Sequence, residues 1–82
     1  MENLLMQFKN DNGYTYRKLA KKINVILHNN NETLQVSHES IEDYAKSKSK
    51  PSRDEVTTAI AQLLHVTTKE FLDSLKTAKK VG

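Results

Sequence analysis

The sequence contains no cysteine and no tryptophan, and it has only two glycines and one proline in 82 residues. Without cysteine the chain has no disulfides, no thiolate metal ligands and no cysteine nucleophile, as is typical of a reducing compartment. So few glycines and prolines leave little punctuation for many short strands, whereas Leu, Ala, Lys, Glu and Gln favour helices. Composition and length therefore predict one all-α domain over residues 1–82.

Long hydrophobic runs are also missing. No apolar stretch approaches the roughly 18 residues of a membrane-spanning helix. The first residues, Met1-Glu2-Asn3, lack the basic and then apolar pattern of a signal peptide. We therefore expect a cytoplasmic protein without a membrane partner.

Positive charge is concentrated in two parts of the chain, although the formal net charge is only +3. One basic cluster extends from Lys9 to Lys22, and the second extends from Lys46 to Arg53. An acidic stretch from Glu39 to Asp43 lies between them. Such clusters are compatible with nucleic acid, but a run of charges can also be a solvated surface.

Apolar residues recur at helical spacing in five segments of the chain. The predicted helices cover about residues 3–11, 15–28, 38–47, 53–64 and 68–79. The predicted terminal residues are Gly13 after the first helix, Thr15 and Ser37 before the second and third, Ser52 with Glu55 as a capping box before the fourth, and Thr67 or Thr68 before the fifth. Residues 28–31, His-Asn-Asn-Asn, are expected to end the second helix.

Each predicted helix has one apolar face, so the five faces together predict a single core. The expected core residues are Leu4, Leu5, Phe8, Leu19, Ala20, Ile23, either Ile26 or Leu27, Ile41, Tyr44, Ala45, Val56, Ala59, Ile60, Leu63, Leu64, Phe71, Leu72 and Leu75. The face of the last helix most often packs in such a core, but part of it could also contact a twofold partner.

Two capped helices in succession, with Thr15 before Leu19-Ala20 and Ser37 before Ile41, form a helix-turn-helix pattern. This spacing, together with residues 46–52 and 63–72, resembles the lambda-repressor-like family, also called the Cro/repressor or xenobiotic-response-element type. The resemblance covers nearly the whole chain and implies a compact, all-α, five-helix domain.

The connection between the second and third helices departs from the family pattern. A helix-turn-helix usually makes this connection in about four residues, whereas here Val25 to Gln35 intervene. Either an inserted turn or an elongated second helix would accommodate them. The angle between the two helices, on which reading of DNA depends, would follow from this connection.

The resemblance implies a sequence-specific, double-stranded DNA-binding regulator, a repressor that binds its operator as a homodimer and is nucleoid-associated when bound. Its third helix would enter the major groove. The implied base-reading residues are Ser37, His38, Glu39, Ser40 and Asp43. The implied phosphate-binding residues are Thr15, Tyr16, Arg17, Lys18, Lys46, Lys48, Ser49, Lys50 and Arg53. A loop with His28 and three asparagines could add a further backbone contact.

Other interpretations remain for the same residues. The acidic residues of the third helix, Glu39, Glu42 and Asp43, could simply pair with Lys46 one turn away. An acidic third helix and a long connection also suit a helix-turn-helix fold used as a protein-interaction module, such as an antirepressor or adaptor.

Catalysis is not expected, because a helical chain of this size has little room for a walled pocket. His28, His38 and His65 are too scattered in sequence for a metal site, and a structural role is expected for His65. We therefore expect no enzyme activity, no metal and no cofactor.

Overall fold

The computed structural model describes the backbone of residues 2–81 and the side chains of residues 2–76. The five helices are α1 (Leu4–Asn12), α2 (Tyr16–Asn29), α3 (His38–Ala45), α4 (Asp54–Leu64) and α5 (Thr68–Val81). The described residues include no β-strand. The prediction of an all-α, five-helix fold is therefore confirmed.

Four of the five helices begin at a side chain that accepts a backbone hydrogen bond, and three of these are α1, α2 and α3. Thr15 Oγ1 accepts from the Lys18 N–H at 3.1 Å, and Ser37 Oγ accepts from the Ser40 N–H at 3.2 Å. The predicted caps of α2 and α3 are thus confirmed. The cap of α1 is Asn3, whose Oδ1 accepts from the Met6 N–H at 2.9 Å.

The capping box predicted at Ser52 and Glu55 is wrong. The N-cap of α4 is Arg53, which makes no side-chain capping bond. The Arg53 carbonyl accepts the N–H of Thr57 at 3.2 Å, so the helix starts one residue later than predicted and the Ser52 hydroxyl lies outside the capping position. A reciprocal capping box occurs at α5 instead, where Thr67 N–H donates to Glu70 Oε1 and Glu70 N–H donates to Thr67 Oγ1, both at 3.1 Å.

The first four helices all end at a residue in the left-handed backbone region, as in Schellman motifs. These residues are Gly13, Asn31, Ser47 and His65, with φ between 58° and 64°. After α1, for example, Tyr14 N–H donates to the Lys9 carbonyl at 3.0 Å and Gly13 N–H donates to the Asn10 carbonyl at 3.2 Å. The predicted stop at Gly13 and the structural role of His65 are confirmed. Because Ser47 is left-handed, α3 ends at Ala45 rather than at residue 47.

The core lies between α2, α4 and the neighbouring helices, with α2 packed against both α3 and α4. Its buried apolar cluster consists of Leu5, Leu19, Ala20, Ile23, Leu27, Ile41, Ala45, Val56, Ala59, Ile60, Phe71 and Leu75. Leu27, and not Ile26, is the buried alternative on α2. The other predicted core residues are only half-buried at its edge, namely Leu4, Phe8, Tyr44, Leu63, Leu64 and Leu72.

The apolar face of α5 is largely covered within the chain itself. Phe71 is fully buried and Leu75 is 6% exposed. Only Leu72 of the three predicted apolar residues keeps intermediate exposure. This part of α5 therefore offers little apolar surface for a second copy.

Residues 25–35, here called the 25–35 segment, comprise the end of α2 and a connection that returns to the side of α2. α2 continues to Asn29, Asn31 is left-handed, and the chain then returns without helix to Val36. Val36 N–H donates to Asn24 Oδ1 at 2.8 Å, and Asn24 Nδ2 donates to the Val36 carbonyl at 3.1 Å. Elongated helix and inserted turn thus both occur, and α3 begins beside Asn24 despite the long connection.

We expect Asn24→Ala to lower the free energy of unfolding by about 1–3 kcal/mol. The substitution removes both side-chain partners of Val36 and leaves its half-buried N–H and carbonyl unpaired. Urea unfolding followed by circular dichroism measures the change. Thr33→Ala, an exposed substitution in the same segment, is the control; equal stability of the two variants would contradict the role assigned to Asn24.

The caps observed at α4 and α5 predict different changes in stability for two further variants. We expect Thr67→Ala to cost about 1 kcal/mol, because it removes an acceptor of the capping box. Ser52→Ala should leave stability within a few tenths of a kcal/mol, since the Ser52 hydroxyl makes no capping bond. Thermal unfolding measures the stability of both variants, and a larger loss for Ser52→Ala than for Thr67→Ala would support a capping role for Ser52.

Candidate nucleic-acid interface

The predicted base-reading residues lie at the start of α3, where two of them have a structural role. Ser37 Oγ caps the helix and also donates to Ser40 Oγ at 3.2 Å. Ser40 is half-buried, and both hydroxyls are therefore engaged within the chain. The side chains left for an outside contact are His38, which is half-buried, and Glu39 and Asp43, which are exposed.

The acidic side of α3 is partly neutralised by Lys46, the residue that follows the helix. Lys46 Nζ donates to Glu42 Oε2 at 2.6 Å in an i, i+4 pair. The hydrogen bond to Lys46 lowers the pKa of the Glu42 carboxyl, and the bond to Glu42 raises the pKa of Lys46. Pairing of the acidic stretch with Lys46 is thus confirmed for Glu42. Glu39 and Asp43 form no ion pair with any described residue.

Two aromatic rings, those of Tyr14 and Tyr16, lie among the predicted phosphate-binding residues at the start of α2. Tyr16 is half-buried, its hydroxyl donates to Met6 Sδ at 3.8 Å, and Lys9 Nζ lies 4.6 Å from its ring centroid. Lys18 Nζ lies 5.2 Å from the ring centroid of Tyr14. A ring face attracts a cation at these distances, so the ring of Tyr14 favours one position of the Lys18 side chain.

Arg17 and Lys18 are both exposed, and neither pairs with a carboxylate of a described residue. Thr15, also exposed, uses its hydroxyl as the α2 cap. α2 packs against α3, and Tyr16, after Glu42, is among the groups that raise the pKa of Lys46 at the end of α3. The start of α2 and the end of α3 therefore form one surface.

The basic loop after α3 begins at an anchored point and then becomes exposed. Asn3 Nδ2 donates to the Tyr44 carbonyl at 2.8 Å and to Ser47 Oγ at 2.9 Å, and Asn3 is only 2% exposed. Sequence reasoning did not include Asn3 in this role. Its position directly before the first apolar residues is the signal of a cap, but its contacts with residues 44 and 47 are visible only in the fold.

Beyond that anchor the loop side chains are accessible. Lys48, Ser49 and Lys50 are exposed. Ser49 and Lys50 also line a shallow depression with Lys76 of α5. Arg53 is exposed as well, with its Nε 3.8 Å from Glu55 Oε2. The loop therefore presents cations at the end of α3 opposite to His38.

A groove of about 560 Å³ lies between α2 and the beginning of α3. Its hydrogen-bonding side chains come from Arg17, Lys21, Asn24, His28, Gln35, Ser37 and His38. None of the described residues that line it is Asp or Glu. Sequence reasoning gave Lys21 less weight than Arg17 and did not identify Asn24 or Gln35, although positions 17, 21, 24 and 28 share one helix face.

Other kinds of site have little support in the described residues. No group of three or more His, Asp or Glu side chains among residues 2–76 could hold a metal ion. In the same part of the chain, no helix combines the length and the apolar character needed to cross a membrane.

No protein-family model, no curated protein and no solved structure matches this chain. The likeness to the lambda-repressor-like family therefore consists of residue spacing alone.

Proposed function

We propose that the protein is a helix-turn-helix transcriptional regulator that binds double-stranded DNA sequence-specifically and catalyses no reaction. The observation that carries this proposal is the closure of the 25–35 segment by Asn24 and Val36. It returns the chain to α2 before α3 starts, and α3 then packs directly against α2. α3 is then the recognition helix and α2 the helix that crosses the backbone.

In this proposal, the cations of α2 and of the loop after α3 supply most of the affinity for DNA. Binding to DNA depends largely on phosphate neutralisation and counterion release. Arg17 and Lys18 are exposed at the start of α2, which packs against α3, and Lys48 and Lys50 are exposed in the loop that follows α3. They compensate for the repulsion between phosphates and the two unpaired acids, Glu39 and Asp43. Either acid can accept a hydrogen bond from cytosine N4, and His38 is the third base-reading side chain.

Repression as a homodimer belongs to the same proposal. Helix-turn-helix dimers bind two half-sites about 34–36 Å apart, so the symmetry of the operator follows that of the protein. Because Phe71 and Leu75 are buried in their own chain, the dimer contact has to involve other surface.

A second candidate function is protein binding through the same fold. Lys18, Lys21 and Lys22 surround an apolar floor of Val25, Ile26 and Leu63. Val25 is the exposed large hydrophobic residue of the described chain, at 52%. A basic rim around apolar surface suits an acidic amphipathic segment of another protein.

The first test of DNA binding is its salt dependence. We expect Lys48→Ala with Lys50→Ala to reduce the slope of log affinity against log salt by about 2 for each protomer bound, because each phosphate contact contributes roughly 0.9. Fluorescence anisotropy with duplexes selected from a random library, at several salt concentrations, measures the slope. Lys69→Ala, an exposed lysine on α5, is the matched control.

Two results would contradict the DNA proposal. One is the absence of binding to any selected duplex at moderate salt. The other is an affinity that does not change with salt, since counterion release is unavoidable when lysines contact phosphates. Binding of an acidic helical peptide that is lost when Val25 is substituted would instead favour the second candidate.

We expect Glu42→Gln to strengthen DNA binding and to make its salt dependence steeper by up to about 0.9 for each protomer bound. The substitution removes one acid from α3 and releases Lys46 from its 2.6 Å pair. Anisotropy titrations against the wild-type chain measure both quantities. Glu2→Gln, on an exposed residue before α1, controls for a general change in net charge; weaker binding by Glu42→Gln would show that this carboxylate itself contacts the DNA.

A further inference from the structure

The 25–35 segment lengthens one particular face of α2. Arg17, Lys21, Asn24 and His28 follow one another at intervals of four, three and four residues, so they lie in line along the helix. Arg17 and His28 are eleven positions apart in sequence. At about 1.5 Å per residue the two ends of this line are roughly 16 Å apart.

The side chains along this line all donate hydrogen bonds. They line the groove beside α3 together with Gln35 and His38, and no carboxylate belongs to the described lining. Guanidinium, ammonium, amide and imidazole groups share one preferred ligand, an oxygen-rich anion. Asn24 already uses its amide for Val36, which leaves Arg17, Lys21 and His28 for an outside contact from α2.

The far end of this line is held in place by contacts on its inner side. Leu27 is fully buried in the core. Asn30 Nδ2 donates to Gln62 Oε1 of α4 at 3.0 Å. The last turn of α2 is therefore attached to the body of the protein, and His28 has a fixed position relative to Arg17.

The length of the line fits one dimension of DNA. The major groove of B-DNA is about 12 Å wide. A second helix that ended at Asn24 would extend only about 10 Å along its axis from Arg17, which is less than the width of that groove. With the added turns, the roughly 16 Å from Arg17 to His28 exceeds it.

We infer that the elongated α2 bridges one major groove and contacts the phosphodiester backbones of both strands, with Arg17 on one strand and His28 on the other. Lys21 lies between them and adds positive charge above the groove that α3 enters. The inference rests on the proposed DNA binding and specifies which phosphates the 25–35 segment makes accessible.

Phosphate ethylation interference on a selected duplex tests the inference with the full chain. We expect the wild-type protein to be blocked by ethylation on both strands, at the two edges of one major groove in each half-site. His28→Ala should lose interference at the phosphate that it contacts on one strand, and Arg17→Ala should lose it at the opposite phosphate on the other strand, while interference from Lys18, Lys48 and Lys50 remains. Each substitution should weaken binding roughly tenfold, as loss of a hydrogen bond to a charged group does.

Thr33→Ala, which is exposed in the same segment but outside the groove lining, should leave both the pattern and the affinity unchanged. Circular dichroism of each variant shows whether the fold is kept. Interference confined to one strand, or an unchanged pattern in a folded His28→Ala variant, would overturn the bridging contact and leave DNA binding in place. Failure of the wild-type chain to bind any duplex would overturn the proposed function and this inference with it.

Discussion

The position of α3 depends on two hydrogen bonds between the Asn24 side chain and the Val36 backbone. They bring together residues that are twelve apart in sequence, and they satisfy a backbone donor and acceptor that the core would otherwise leave unpaired. Because the connection closes at this point, the extra residues lengthen α2 and lead back to it, and they do not separate α2 from α3. The start of α3 therefore lies beside α2, and the groove between them exists for the same reason.

The charges of the candidate interface follow from that arrangement. α3 by itself is acidic, yet Glu42 is paired with Lys46, and exposed cations lie on α2, which packs against α3, and in the loop that follows α3. Tyr14 and Tyr16 add aromatic faces under several of the lysines. A surface of this kind attracts a polyanion through its flanks while its centre can discriminate between hydrogen-bonding partners.

Local signals were read correctly where one residue's own chemistry decides the backbone. Thr15 and Ser37 cap because a short hydroxyl side chain can reach an N–H of the first turn, and Gly13 adopts a left-handed conformation without steric cost. The prediction at Ser52 was wrong because α4 starts one residue later, with Arg53 as an N-cap that makes no side-chain capping bond. Ser47 and His65 are also left-handed, although neither residue type signals this conformation strongly.

The sequence by itself determined the five helices, most of their apolar faces and the two basic clusters, because helical periodicity, caps and charge are properties of neighbouring residues. Tertiary structure alone decided that Asn24 closes the 25–35 segment, that Asn3 anchors the basic loop, and that Arg17, His28 and His38 line one groove. These contacts join residues that are distant in sequence. Their formation depends on how the helices pack, and no local pattern of residues specifies that.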